Sequence, residues 1–256
     1  MSETADPPLR LSGLTVMLGP RTALDAISVE VRAGELVAVC GPNGAGKSTL
    51  LRAAMGLVRP AAGEASLFGR AAFGQDPLAR ARLAAYLPQE RHIAWGLSAK
   101  AIVALGALHL SDAEAERRAA AALDLVEMAH AAERSVTQLS GGERARVLLA
   151  RMLAAQAPFM ALDEPVAGLD PAAQLKVLQL LRSLAQGGAA IVVSLHDLNL
   201  CARFADRVVL LSAGRLIACA EPLEALCPEN LAEVFRLEAE WVATPRGHRL
   251  EAACAL

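Results

Sequence analysis

The stretch LVAVCGPNGAGKST, residues 36–49, constrains this chain more than any other. Five apolar residues in a row read as a strand buried on both faces of a sheet, and they run directly into a glycine-rich loop and then helical sequence. Gly41, Gly44, Gly46, Lys47 and Ser48 match G-x-x-x-x-G-K-[ST] in the strand–loop–helix context the pattern requires, with Pro42, Asn43 and Ala45 filling the loop. Glycines let backbone N–H groups wrap phosphates, and the helix that follows points its positive end at them. Lys47 is placed to reach the β and γ phosphates, Ser48 to ligate Mg2+, and Thr49 to add a phosphate contact. The prediction is a nucleotide site at the edge of an α/β sheet.

The rest of the chain supports that architecture. Short apolar runs recur at 159–162 (FMAL), 189–194 (AAIVVS) and 207–212 (RVVLLS), each preceded by helical sequence, as in a mostly parallel sheet covered by helices. Residues 9–18 and 26–31 alternate apolar and polar like half-buried N-terminal strands, with LGPRTALD between them as turn chemistry. Between about 90 and 155 no such strand is visible. There SDAEAERRAAAALDLVEMA has helical spacing, with Ser111 or Asp112 as its cap, and the stretch is expected to be an inserted helical subdomain. Past 213 the chain reads as a short hairpin and turn, then a helix at 229–236. Residues 1–8 are expected to be a disordered tip and 237–256 a C-terminal tail whose last dozen residues are loosely held, leaving one domain over 9–236.

Bulk properties exclude some classes. A net charge of −2 gives no global basic field, so no nucleic-acid partner is expected. The five cysteines are widely spaced and form no C-x-x-C pair, which fits free thiols in a reducing compartment. The start, MSETADPP, has neither the basic nor the apolar region of a secretory signal. No uninterrupted apolar segment approaches the roughly 18 residues needed to cross a bilayer. The chain is therefore expected on the cytoplasmic side, with any membrane association made through a partner.

Further residues carry chemistry. FMALDEP is an apolar strand ending in two acids, as a magnesium-assisted phosphate-cleavage site needs: Asp163 to hold the metal, Glu164 to polarise the attacking water. His196, just past the run at 190–194, falls where a parallel sheet's carboxyl edge meets a ligand, although a lone histidine is more often structural. Gln89, in YLPQE, needs no explanation beyond an exposed turn when taken alone. Asp170 before Pro171 is an ordinary helix N-cap signature. LSGGERARVLLAR, residues 139–151, holds a second glycine pair before a helix, with Ser140 and Glu143 spaced as a capping box.

The joint order changes the weight of each residue. Phosphate loop, Gln89, LSGGE, LDEP, GLD and His196, in that sequence, resemble the ATP-binding-cassette (ABC) ATPases over roughly residues 9–236. The resemblance implies a P-loop NTPase (RecA-like) fold, with ATP and Mg2+ bound between two subunits facing head to tail as a homodimer. In that arrangement Ser140, Gly141 and Gly142 contact the γ-phosphate held by the partner, and Asp170 touches the opposite subunit. Gln89 joins the metal ligands Ser48 and Asp163 and links the site to an integral-membrane permease. Catalysis falls to Glu164, His196 and Gln89. LSGGERARVLLARML, LDEPVAGLD, SLHDLNLCARFADRVVLLSAGRL and PENLAEVF look like the ATPases of importers for iron-siderophores, haem and cobalamin. That implies a substrate-binding protein in the full system and a place on the cytoplasmic face of the inner membrane.

Two features depart from that family. Leu18 stands where relatives carry an aromatic that stacks on adenine, so weak discrimination between ATP and GTP is expected. GALHL at 106–110 replaces a G-R-x-P-H-like stretch. Two alternatives remain at this level: an exporter ATPase, against which the long tail and the HDLNL segment argue, and a non-transport ATPase acting on DNA or ribosomes. The latter usually carry long coiled coils or two cassettes, and neither is visible here.

Overall fold

The computed structural model describes residues 6–90, 96–245 and 247–255. Strands β1 (Leu9–Leu18) and β2 (Arg21–Val31) pair antiparallel, and β3 (Leu36–Cys40) leads through the glycine loop into helix α1 (Lys47–Ala54). A hairpin of β4 (Ala62–Leu67) and β5 (Arg70–Ala71) precedes α2 (Pro77–Leu83) and β6 (Ala84–Leu87). The helical lobe follows as α3 (Ala99–Ala104), α4 (Asp112–Leu125) and α5 (Gly141–Ala154). The chain then alternates through β7 (Phe159–Asp163), α6 (Pro171–Gln186), β8 (Ala190–Ser194), α7 (Leu198–Phe204), β9 (Arg207–Ser212) and β10 (Arg215–Ala220). It closes with α8 (Pro222–Ala225), α9 (Pro228–Phe235), β11 (Leu237–Thr244) and β12 (Gly247–Ala255).

The central sheet has the order β10-β9-β3-β8-β7-β6, with β3, β6, β7, β8 and β9 parallel and β10 antiparallel at one edge. Every residue of β3, β7 and β8 is buried, which is why these strands read as unbroken apolar runs. Alternation still sorts their side chains: Leu36, Ala38 and Cys40 enter the core beneath the helices, while Val37 and Val39 enter the core against β1 and β2. Parallel strands bring the loops after β3, β6, β7 and β8 to one edge, where α/β sheets bind ligands. A second sheet, β2-β1-β4-β5, lies over α1.

The structure departs from the sequence reading in several places. LGPRTALD shrinks to a two-residue turn, Gly19–Pro20, because β2 starts at Arg21 and pairs it with Leu18; Gly19 supplies the positive φ of 58° that the turn requires. Strands β4, β5 and β6 are short and gave no signal of their own. Ser111 occupies the cap position of α4, yet its side chain makes no capping bond. The tail, expected to be loose over its last dozen residues, is instead an antiparallel hairpin, β11–β12, docked on the domain. Trp241 Nε1–H donates to Leu226 O at 2.8 Å, and Leu250 N–H donates to Asn199 Oδ1 at 2.8 Å. Its strands are mostly exposed and short of bulky apolar residues, so the sequence carried little period-two signal. Residues 1–5 of the expected disordered tip, and residues 91–95 of the expected helical subdomain, lie outside the described residues. No helix among the described residues is long and apolar enough to cross a membrane.

Within the lobe, Gly106 lies in a one-turn 3-10 segment, Leu105–Ala107, pressed on α5. A Cβ there would stand 1.8 Å from Arg151 O, a backbone atom that cannot swing away. Gly106→Ala is expected to push the segment off α5 and cost about 1–3 kcal/mol of overpacking strain. Urea unfolding measures this, and an unchanged midpoint would mean the contact relaxes freely.

Candidate functional site

The phosphate loop is held by contacts that admit no side chain. Gly41 has φ 146°, and a Cβ on it would stand 2.2 Å from Leu211 O at the end of β9. Gly46 has φ 107°, and its Cβ would meet Ala23 O at 2.8 Å and Leu24 Cδ2 at 2.9 Å. The loop is thus wedged between β9 and β2, where only glycine fits. Gly46 is also the N-cap of α1 and gives no side-chain cap, so the first N–H groups of the helix remain for a ligand. Lys47 is buried, with Nζ donating to Gly41 O at 2.8 Å and Pro42 O at 3.1 Å. Burial holds its pKa below the usual lysine range, while Glu164, Cys40 and Asp163 pull it back up. An ammonium in this position, paired only with neutral carbonyls, suits an incoming polyanion.

The acids meet the loop across the sheet edge. Asp163 ends β7 and pairs in register with Ser194, which ends β8. The buried Ser194 hydroxyl donates to Asp163 Oδ1 at 2.7 Å and accepts from Glu164 N–H at 2.8 Å. One serine therefore orients the first carboxylate and the backbone of the second. Glu164 lies just past the strand at φ 50°, a costly conformation for a non-glycine residue and one often found at functional sites. Its Oε1 is 2.5 Å from His196 Nε2. His196 precedes α7, whose N-cap Asp197 accepts from Asn199 N–H and Leu200 N–H. On β6, Tyr86 is pushed up to about 12 by burial and by the charge of Asp163. A cleft of about 270 Å³ gathers Asn43, Gly44, Lys47, Ser48, Gln89 and Glu164.

The second glycine loop is elsewhere. Ser140, Gly142 and Asp170 line a separate hollow of about 500 Å³ between the lobe and α6, and none of them lines the phosphate cleft. The capping box is present: Ser140 Oγ accepts from Glu143 N–H at 3.2 Å, and Glu143 Oε2 accepts from Ser140 N–H at 2.8 Å. Asp170 caps α6 by accepting from Ala173 N–H at 2.9 Å. Gly141 faces open space. Two residues that the sequence reading passed over belong to the site, Ser194 and Arg21. Ser194 had a signal, being the one polar residue closing the apolar run AAIVVS opposite FMALD.

Residues 24–167, more than half of the chain, match the family model described as ABC transporter. The chain belongs to the ABC transporter family. It is 43% identical over 250 residues to the hemin import ATP-binding protein HmuV of Pseudomonas aeruginosa, covering 94% of this chain and 98% of that one. It is 44% identical over 238 residues to HmuV of Streptomyces coelicolor, covering 91% and 85%. Among solved structures, an inward-facing metal-chelate type ABC transporter aligns with TM-score 0.81 at 27% identity, covering 97% of both chains. A dimeric post-hydrolysis ATP-binding cassette bound to ADP and Pi aligns with TM-score 0.77 at 29% identity, covering 84% of this chain and 98% of that one. This ABC protein is accordingly an ATP-hydrolysing transporter subunit on the P-loop fold.

Ser194→Ala would leave the buried Asp163 carboxylate without its hydroxyl donor. A loss of about 1–3 kcal/mol in stability is expected by urea unfolding, with Ser194→Thr recovering part of it. Equal stability for all three proteins would show the bridge to be energetically idle.

Proposed function

We propose that two copies of this ABC ATPase close head to tail around two ATP molecules and power haem import through a membrane permease at the cytoplasmic face of the membrane. The observation that carries the dimer is the separation of the two glycine loops. Each copy holds a phosphate cleft and, in another hollow, an outward-facing Ser140–Gly142 helix start, so one copy offers two half-sites rather than one whole one. A helix N-terminus favours an anion, and Ser140, Gly141 and Gly142 would donate to the γ-phosphate bound by the other copy, with Asp170 alongside. The hemin import relatives support haem within the iron-siderophore, haem and cobalamin class, and a substrate-binding protein would deliver it.

The residues present also fit Mg2+. The Ser48 hydroxyl, the Asp163 carboxylate and the Gln89 amide are hard oxygen donors, and Ser48 and Gln89 share the cleft with Lys47. When bound, the ion neutralises charge on the phosphates. The chain's own residues do the rest. Lys47 turns from the loop carbonyls to the β and γ phosphates. Glu164 accepts a hydrogen bond from the attacking water and polarises it, while His196 holds that carboxylate in place at the γ-phosphate edge. Gln89, exposed on the loop after β6, joins the metal site to the permease side.

Two lesions test the dimer. Lys47→Ala empties a copy's own phosphate loop, and Ser140→Arg blocks the site it completes for its partner. In a Glu164→Gln background, which stops hydrolysis, either homodimer should trap no nucleotide. The mixed dimer puts both lesions in one composite site and should retain about one ATP per dimer, counted by native mass spectrometry, as one intact anion site requires. Heterodimers that form and retain none would refute the head-to-tail arrangement.

Haem is tested separately. In proteoliposomes holding the ATPase with its permease, ATP-dependent uptake is expected for haem and not for a ferric siderophore or cobalamin. Uptake of either rival in its place would reassign the cargo and leave the ATPase mechanism intact.

A further inference from the structure

The phosphate cleft contains a second cation that the loop motif does not account for. Arg21 opens β2, directly across the two-residue turn from Leu18, and both line the cleft with Gly44, Lys47 and Glu164. Its Nη2 lies 4.0 Å from the point where a Cβ on Gly44 would stand, so the guanidinium reaches over the phosphate loop. Among the described residues nothing accepts a hydrogen bond from it or pairs with its charge. Three other strand arginines are engaged: Arg10 with Glu30, Arg207 with Glu35, and Arg215 with Asp25. Lys47 is itself occupied by two carbonyls.

The backbone beneath Arg21 is fixed to the loop. Asp25 N–H donates to Gly214 O at 2.8 Å, and Gly214 N–H donates to Ala45 O at 3.0 Å. Gly46 abuts Ala23 O and Leu24. Hairpin and phosphate loop are thus one frame, and the guanidinium does not depend on a mobile segment for its position. A guanidinium has five N–H donors, no acceptor, and a planar fork that matches phosphate oxygens. Leu18, on the other side of the turn, offers a base only an aliphatic surface.

We infer that Arg21 binds the phosphate chain of the nucleotide as a second cation beside Lys47, and that this ATPase gains from charge the affinity that an aromatic at Leu18 would have supplied through the base. Two consequences separate this from stacking of the guanidinium on the base. The contribution of Arg21 must be the same for ATP and GTP, and it must persist for a polyphosphate that has no base at all.

The test is calorimetric titration of ATP, GTP and inorganic tripolyphosphate into the full chain and its Arg21→Ala, Arg21→Gln and Arg21→Lys variants, in a Glu164→Gln background. Arg21 is exposed and unpaired, so the variants should melt with the parent. Arg21→Ala and Arg21→Gln are expected to weaken all three ligands by a similar factor, about tenfold or more, as loss of a charge-assisted hydrogen bond implies. Arg21→Lys should recover part of it, and the parent's affinity should fall more steeply with salt than that of Arg21→Ala. Unchanged affinities would overturn the inference. So would a loss confined to ATP and GTP with tripolyphosphate binding intact, which would put Arg21 on the base.

Discussion

The wedge that holds the phosphate loop between the end of β9 and the start of β2 is the constraint on which the rest of the site depends. Leu211 O and Ala23 O crowd the loop so closely that Gly41 and Gly46 cannot carry a side chain, and the resulting backbone leaves α1 uncapped toward the ligand. Since β9 and β8 are the two neighbours of β3, displacing the loop would disturb the sheet that also carries Ser194. Donor and acceptor sides of the chemistry are therefore set by one piece of backbone. The strain at Glu164, the burial of Lys47 and the bridge through Ser194 are local costs that this sheet is large enough to sustain.

The lobe carries the second glycine pair. Its helices share a continuous core with one face of the sheet, through Leu149 and Leu153 of α5, Leu178 and Leu181 of α6, and Ile191 and Val193 of β8. That burial, rather than the exposed Lys176–Glu127 ion pair joining α6 to the lobe, holds the start of α5 at a set distance from the phosphate cleft. A capping box then makes the N-terminus of α5 rigid while leaving Gly141 open. Capping its own helix and offering an anion site are compatible, because the box uses Ser140 N–H and Oγ with Glu143 N–H and carboxylate, and takes neither the Gly141 nor the Gly142 N–H.

Legibility followed the range of the interaction. The buried parallel strands announced themselves as apolar runs, since burial on both faces leaves no room for polar residues. The loop, Asp163 and Glu164 were readable because their neighbours in sequence are also their neighbours in space. Strand β6 was missed: four residues, AAYL, lie between helix-like stretches, and only pairing with β7 makes them a strand. The β11–β12 hairpin was missed for a related reason, its hold on the domain being Trp241 to Leu226 and Leu250 to Asn199, bonds to distant residues. Arg21 looked like one more turn residue until the hairpin was seen against Gly44.

By itself, the sequence determined that this chain binds nucleotide phosphates, which residues form the loop, that two acids close a neighbouring strand, and that a second glycine pair starts a helix. Such features are local: a spacing of glycines, a run of apolar residues or a capping pattern dictates backbone conformation within a few residues. The tertiary structure alone decided that Ser194 bridges Asp163 and Glu164, that His196 meets Glu164, and that Arg21 reaches over the loop. It also decided that Ser140 and Asp170 open into a different hollow from Lys47. These relations join residues brought together only by strand order and by burial of the sheet's two faces, and no periodicity along a chain encodes the distance between two loops that meet across a sheet.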